Sequence, residues 1–281
     1  MLLSDIRGHK ALTGSAAGLN AMQTALDAEL LRSCSALKDA DAAYHEGIQQ
    51  AGADEACETE MTMGEVVRLG RERVSVAIRI ANTPALSDSG LLGKLSVIER
   101  LLPQHYDDPA PARDAVTLSF VADMERLFPA TAKRDGGATC ETEDDASAIL
   151  ANTQECLQLM DQLADGMARL EDGSLSLEQQ DALSDSLVLI LQKKRAAATA
   201  LAGIAAGSFD TVRAKGLVLR RLLERGWLED GHYVRVDLAH SYIADVRKLL
   251  MAADVGRSAT TETGSWWSSI AGRFWPREIK A

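Results

Sequence analysis

Apolar residues recur every three or four positions through segment after segment of this 281-residue chain. That spacing lays a continuous stripe along one side of a helix, whereas a half-buried strand needs strict alternation. Leu19, Met22, Leu26, Leu30, Ser33, Leu37, Ala40 and Tyr44 define a first helix from about Leu19 to His45, with Gly47 and Gly52 expected to end it. A second helix, about Met61–Ala81, closes before Pro84. A third, about Ser89–Leu102, stops at Pro103, and a fourth, about Arg113–Phe128, stops at Pro129. Proline lacks the backbone N–H and clashes with the preceding turn, so these stops follow from covalent structure.

Residues 130–145 have no apolar period and read as a linker. The pattern then restarts with a helix over about Ala146–Leu170. Ser176-Leu-Glu-Gln179 is a capping box, in which a hydroxyl and an amide satisfy each other's free backbone N–H groups. It opens a sixth helix marked by Leu183, Leu187, Ile190, Lys194, Ala197, Leu201 and Ile204. Helices over Asp210 to about Arg225 and about Val236–Ala252 complete the set.

The order and lengths of four helices are thus written twice. The closing box Leu118-Ser-Phe-Val-Ala-Asp-Met-Glu-Arg-Leu127 returns 122 positions later as His240-Ser-Tyr-Ile-Ala-Asp-Val-Arg-Lys-Leu249. Pairing Tyr44 with Leu170, Ile80 with Ile204, and Lys94 with Lys215 gives offsets of 126, 124 and 121. The offset changes only between helices, where insertions are tolerated. The predicted fold class is all-α: a tandem-duplicated antiparallel helical bundle with about four helices per unit. The expected organisation is an N-terminal arm (1–18), helical unit 1 (19–129), a linker (130–145), helical unit 2 (146–252), and a linker with an aromatic C-terminal tail (253–281).

Three short motifs carry a resemblance. They are Ile80-Ala-Asn-Thr-Pro-Ala85 ahead of Gly93-Lys94-Leu95, Ile204-Ala-Ala-Gly207 ahead of Val212-Arg-Ala-Lys215, and the Ser-aromatic-x-x-Asp box. Together they resemble short all-helical proteins predicted in bacterial genomes. The resemblance implies a helical bacterial protein, but that group has no known activity and so supplies no functional residues.

A net charge of −11 and a pI near 5.0 argue against broad contact with nucleic acid or an anionic membrane, both of which need a basic footprint. The most apolar region, Leu187–Gly207, is cut by Gln192-Lys-Lys-Arg195, short of the roughly 18–20 apolar residues a membrane helix needs. Met1–Gln23 shows no basic head followed by an apolar run, so a cytoplasmic location is expected. Cys34, Cys57, Cys140 and Cys156 include no C-x-x-C pair, and reduced thiols without a metal or cofactor are expected.

Candidate chemistry is sparse. Asp123 and Asp245 recur by the repeat, but helical projection puts both just outside the apolar arc. Arg126 and Lys248 stand three residues on, positioned for exposed ion pairs. No two of His9, His45, His105, His232 and His240 lie three or four residues apart, so no helical metal pair exists. His105-Tyr-Asp-Asp108 offers metal-type ligands in a loop, and His240 reads as a packing residue in place of Leu118. Glu141–Asp145 lacks the ligand alternation and turn glycine of a calcium loop. No nucleophile elbow, phosphate loop or dinucleotide fingerprint is present.

Two stretches stand apart. Residues 200–236 resemble a winged helix-turn-helix, with Arg213, Lys215, Arg220 and Arg221 as DNA contacts and Gly231-His-Tyr-Val-Arg-Val as the wing. The tail gathers Trp266, Trp267, Ile270, Phe274 and Trp275, with basic residues nearby, into an aromatic peg for a partner groove, a second copy or the chain's own helices. The sequence therefore predicts a non-enzymatic interaction or scaffolding module acting through that tail, with a DNA-binding regulator as the alternative.

Overall fold

The computed structural model describes residues 16–53, 63–101, 110–129, 142–224 and 232–258. Among these residues the chain forms eight α-helices and no strand: α1 (Ala16–Ala53), α2 (Met63–Asn82), α3 (Asp88–Leu101), α4 (Ala110–Leu127), α5 (Glu143–Glu171), α6 (Leu177–Gly203), α7 (Phe209–Glu224) and α8 (His232–Ser258). The all-α bundle read from the apolar spacing is the fold. Contacts group α1–α4, with the end of α7 from Arg220, into one compact unit, and α5, α6, α8 and α7 up to Leu219 into another.

In the first unit α1 packs on α2 and α3, and α4 packs on the same two helices. Leu30, Leu37, Ile80, Leu91, Ile98, Val116 and Phe120 are wholly enclosed at its centre. In the second unit α5 pairs with α6, and α6 with α8; Ile149, Cys156, Ala198, Leu201, Leu238 and Val246 are wholly enclosed. Each fully buried large aliphatic side chain contributes about 1.5–3 kcal/mol relative to exposure, so these stripes supply the main driving force.

Several boundaries differ from the sequence reading, each for a local reason. Helix α1 runs through Gly47 and Gly52 to Ala53. A glycine costs only about 1 kcal/mol in a helix interior, which packing offsets. Helix α5 begins at Glu143, so Glu143, Asp144 and Asp145 form a helical first turn rather than the end of a linker. Thr142 caps that turn by accepting the Asp145 N–H at 3.0 Å, and carboxylates favour this end of the helix dipole. Helix α8 starts at His232, so residues 232–236 are helical, and the β-wing expected there is corrected. The capping box at the start of α6 is present on both sides: Gln179 N donates to Ser176 Oγ at 3.3 Å and Ser176 N to Gln179 Oε1 at 3.0 Å.

The register of the repeat is also corrected at one point. Ile204 is the residue that caps the end of α6, whereas Ile80 lies wholly buried inside α2. The buried counterpart of Ile80 is Leu201, 121 positions on, with Ala77 and Ala198 at the same spacing. The turns after α2 and α6 keep that offset, Thr83–Ser87 against Ile204–Ser208.

The capping box gives a direct check on local stability. Ser176→Ala removes one cap at an exposed helix start, and about 0.5–2 kcal/mol of unfolding free energy is expected to be lost in urea titration.

Candidate functional site

Lysine is the residue least suited to a core, yet Lys94 and Lys215 are each fully enclosed. Both sit in the middle of the third helix of their unit, where neighbouring residues on the same side are apolar. Buried charge persists only when paired and hydrogen-bonded. The closing box of the fourth helix supplies both partners.

In the first unit Lys94 Nζ donates to Asp123 Oδ2 at 2.7 Å and to Ser119 Oγ at 2.5 Å. The Ser119 hydroxyl passes its own proton on to the Ala81 carbonyl at 2.6 Å. Asp123 Oδ2 also accepts the Ala85 backbone N–H at 2.9 Å, and Oδ1 accepts from Arg126 at 2.9 Å. Arg126 reaches on to the Ala85 carbonyl. The α2–α3 turn is thus tied down at Ala81 and Ala85 from α4. Asp27 of α1 adds a third anchor, accepting the Leu86 N–H at 2.9 Å. Gly90 faces that carboxylate so closely that a Cβ there would collide with it.

The second unit builds the same arrangement. Lys215 Nζ donates to Asp245 Oδ2 at 2.6 Å, to Ser241 Oγ at 2.8 Å, and to the Ile204 carbonyl. Asp245 accepts a backbone hydrogen bond from Ala206, the residue 121 positions after Ala85. Beside it the Tyr242 ring covers Gly216, where a Cβ would sit 3.1 Å from the ring.

These distances correct the sequence reading of Asp123 and Asp245 as exposed flank charges. Both are buried, at 4% and 5% exposure, and their main partners are the two lysines. Helical projection indicates which side of a helix a residue takes, but not how deeply neighbouring helices cover it. The Arg126 ion pair expected three residues on does form, at 2.9 Å.

Burial pushes the Lys94 ammonium below its ordinary value, and the Asp123 carboxylate opposes the shift. Burial raises the Asp245 carboxyl above its ordinary value, opposed by the hydrogen bond from Lys215. The same desolvation acts on two free thiols. Cys34, near Lys94, is pushed up to about 12, and Cys156, near Lys194, to about 11. The thiolate is the reactive species, so both cysteines are inert in the folded chain.

A further cluster belongs to the first unit alone. Arg73 of α2, 2% exposed, lies 2.7 Å from Asp41 of α1 and stacks over the Tyr44 ring at 5.4 Å. Arg100 of α3 and His45 approach the same carboxylate at 3.7 Å. Two cations over one carboxylate and an aromatic face join three helices, a structural arrangement of the kind expected for a buried arginine. The position 121 residues after Arg73 is Lys194, again a buried base.

Of the expected DNA contacts, Lys215 is wholly buried and engaged, which removes it as a phosphate ligand. Arg213 pairs with Asp210 at 3.1 Å and Arg220 with Glu224 at 2.7 Å, while Arg221 is half-buried. With the wing also replaced by helix, the recognition-helix expectation loses its structural context. His240, expected to pack, is exposed. The loop at His105–Asp108 and the tail residues Trp266, Trp267, Ile270, Phe274 and Trp275 lie outside the described residues. Among the described residues no group of three or more His, Cys, Asp or Glu side chains is placed to hold a metal ion, and no helix is long and apolar enough to cross a membrane.

Comparison with known proteins gave no match to a family model, a curated protein or a solved structure.

The clusters predict a specific mutational pattern. Asp123→Ala leaves the Lys94 charge uncompensated in the core, and a loss of about 3–5 kcal/mol is expected in chemical denaturation. The double variant Lys94→Met/Asp123→Leu removes both charges together and is expected to cost less than Asp123→Ala alone. In a Cys57→Ser/Cys140→Ser background, maleimide labelling of Cys34 and Cys156 at pH 8 is expected to proceed only as fast as the chain unfolds, measured by mass spectrometry.

Proposed function

We propose that this protein is a non-enzymatic interaction or scaffolding module built from two related four-helix units. It engages a protein partner, or a second copy of itself, through the aromatic segment holding Trp266, Trp267, Ile270, Phe274 and Trp275. The observation that carries this reading is the closed state of the charged clusters. Lys94 and Lys215 spend their ammonium donors on a carboxylate, a serine and, for Lys215, a backbone carbonyl of their own unit. A serine held between a charged lysine and a carbonyl acceptor has no free base to activate it, and a general base must reach the proton it abstracts. Groups so engaged hold helices together and leave binding to the surface.

The relation between the units is supported by burial. Val66, Arg73, Ile80, Ala85, Lys94 and Ile98 each have a buried counterpart 121 positions on: Leu187, Lys194, Leu201, Ala206, Lys215 and Leu219. In the fourth helices the spacing is 122, pairing Val116, Phe120, Asp123 and Phe128 with Leu238, Tyr242, Asp245 and Leu250. Amphipathicity alone would not place a buried base, a buried acid and their linking serine at common offsets. The resemblance to helical bacterial proteins agrees with a cytoplasmic scaffold of that origin.

The test is association. Full-length chain is expected to self-associate in sedimentation, or to retain a stoichiometric partner from the source cells. A variant with Trp266, Trp267, Phe274 and Trp275 all replaced by serine is expected to lose that association while keeping its circular dichroism. Equal behaviour of the two, each monomeric and without a partner, contradicts the reading.

A further inference from the structure

The chain's negative charge is not spread evenly. Residues 142–192 hold eleven carboxylates and one base, Arg169, a net of −10 against −11 for all 281 residues. Ten of the eleven carboxylates are exposed, Asp145 being half-buried. The α5–α6 hairpin is therefore a concentrated acidic surface on a chain that is otherwise close to neutral, and its field reaches about 8–10 Å in physiological salt.

That surface is also apolar where it has no reason to be. At 3.6 residues per turn, Leu177, Glu178, Asp181, Asp185, Val188 and Leu189 share one side of α6, opposite the buried Leu187, Lys194, Ala198 and Leu201. Leu177 is 76% exposed, Val188 53% and Leu189 59%. In the first unit the position 121 residues before Leu189 is Arg68, an exposed base paired with Glu65 at 2.6 Å. The acidic and apolar character of this face thus belongs to the second unit alone.

We propose that the outer face of α6, between Leu177 and Leu189, is the seat of this chain's own C-terminal segment 265–281. The inference rests on the reading of that segment as the binding element. Its composition is the complement of the face: Trp266, Trp267, Ile270, Phe274 and Trp275 against Leu177, Val188 and Leu189, and Arg273, Arg277 and Lys280 against Glu178, Asp181 and Asp185. Residues 265–281 carry three bases and one acid, Glu278. Aromatic side chains bring large apolar areas to a contact, while opposite charges around it set orientation and encounter rate. Helix α8 packs against α6, so the segment departs from a direct neighbour of its seat. Residues 259–265 add at most about 25 Å of reach when fully extended. Seated there, the peg is withheld from other proteins until a partner competes for it, which makes the interaction switchable.

The experiment uses the full-length chain with p-benzoylphenylalanine in place of Trp267. Irradiation is expected to give cross-links to residues 177–192 at monomer mass. Val188→Ser/Leu189→Ser, at exposed positions that leave the core intact, is expected to lower that yield about tenfold. Asp181→Asn/Asp185→Asn and 0.5 M salt are each expected to lower it as well. Cross-links that map to other helices, appear only at dimer mass, or do not respond to the Val188/Leu189 variant overturn the proposal. Cross-links only to a foreign protein also overturn it, while leaving the interaction module standing.

Discussion

A lysine enclosed in an apolar core is tolerable only if its charge is met at once, and both units of this chain are arranged to meet it. The third helix contributes the lysine, the fourth a serine and an aspartate one turn apart, and the turn between the second and third helices contributes backbone groups. The aspartate does double duty: its Oδ2 takes the lysine proton donor and also a turn N–H that would otherwise be an unsatisfied buried donor. Removing any member leaves a buried charge or a buried amide without a partner, which is more costly than the intact cluster is stabilising. The net contribution to stability is modest. The contribution to specificity is larger, because only one register of the fourth helix against the turn satisfies all the groups.

This explains why the turn is so constrained in sequence. Ala85 and Ala206 are buried beside the aspartate, Gly90 makes room for Asp27, and Gly216 makes room for the Tyr242 ring. The two units differ where the cluster is not involved. Arg73 sits on Asp41 and Tyr44 in the first, and the second places Lys194 near Cys156.

Much of this was legible in the sequence. The helices, the capping box at Ser176 and the recurrence of Ser119/Asp123 as Ser241/Asp245 follow from residue spacing alone, as does the pairing of Lys94 with Lys215. What the sequence hid was depth. Asp123 projects to the edge of its helix's apolar arc, and only the neighbouring α2–α3 turn turns that edge into interior. The segment His232–Val236 alternates in a way that suits a strand, yet it is the first turn of α8 because Val234 and Leu238 bury together at helical spacing. Ile204 drew the register three residues out because it matches Ile80 in type, whereas burial matches Ile80 to Leu201. The concentration of charge on α5–α6 was present in the sequence throughout. Its meaning depended on seeing that Val188 and Leu189 remain uncovered beside it.

Native-state hydrogen exchange at the Ala85 and Ala206 amides tests the central role of the two clusters most directly. Both residues lie in turns, where amides ordinarily exchange through local fluctuations with little protection. If the aspartates hold them as the structure describes, these two amides exchange only when their unit unfolds, as slowly as the amides of Ile80 and Leu201 in the adjoining helices. Exchange at the rate of the neighbouring turn positions Thr83 and Ala205 would show that the clusters do not fasten the turns, and would contradict the account.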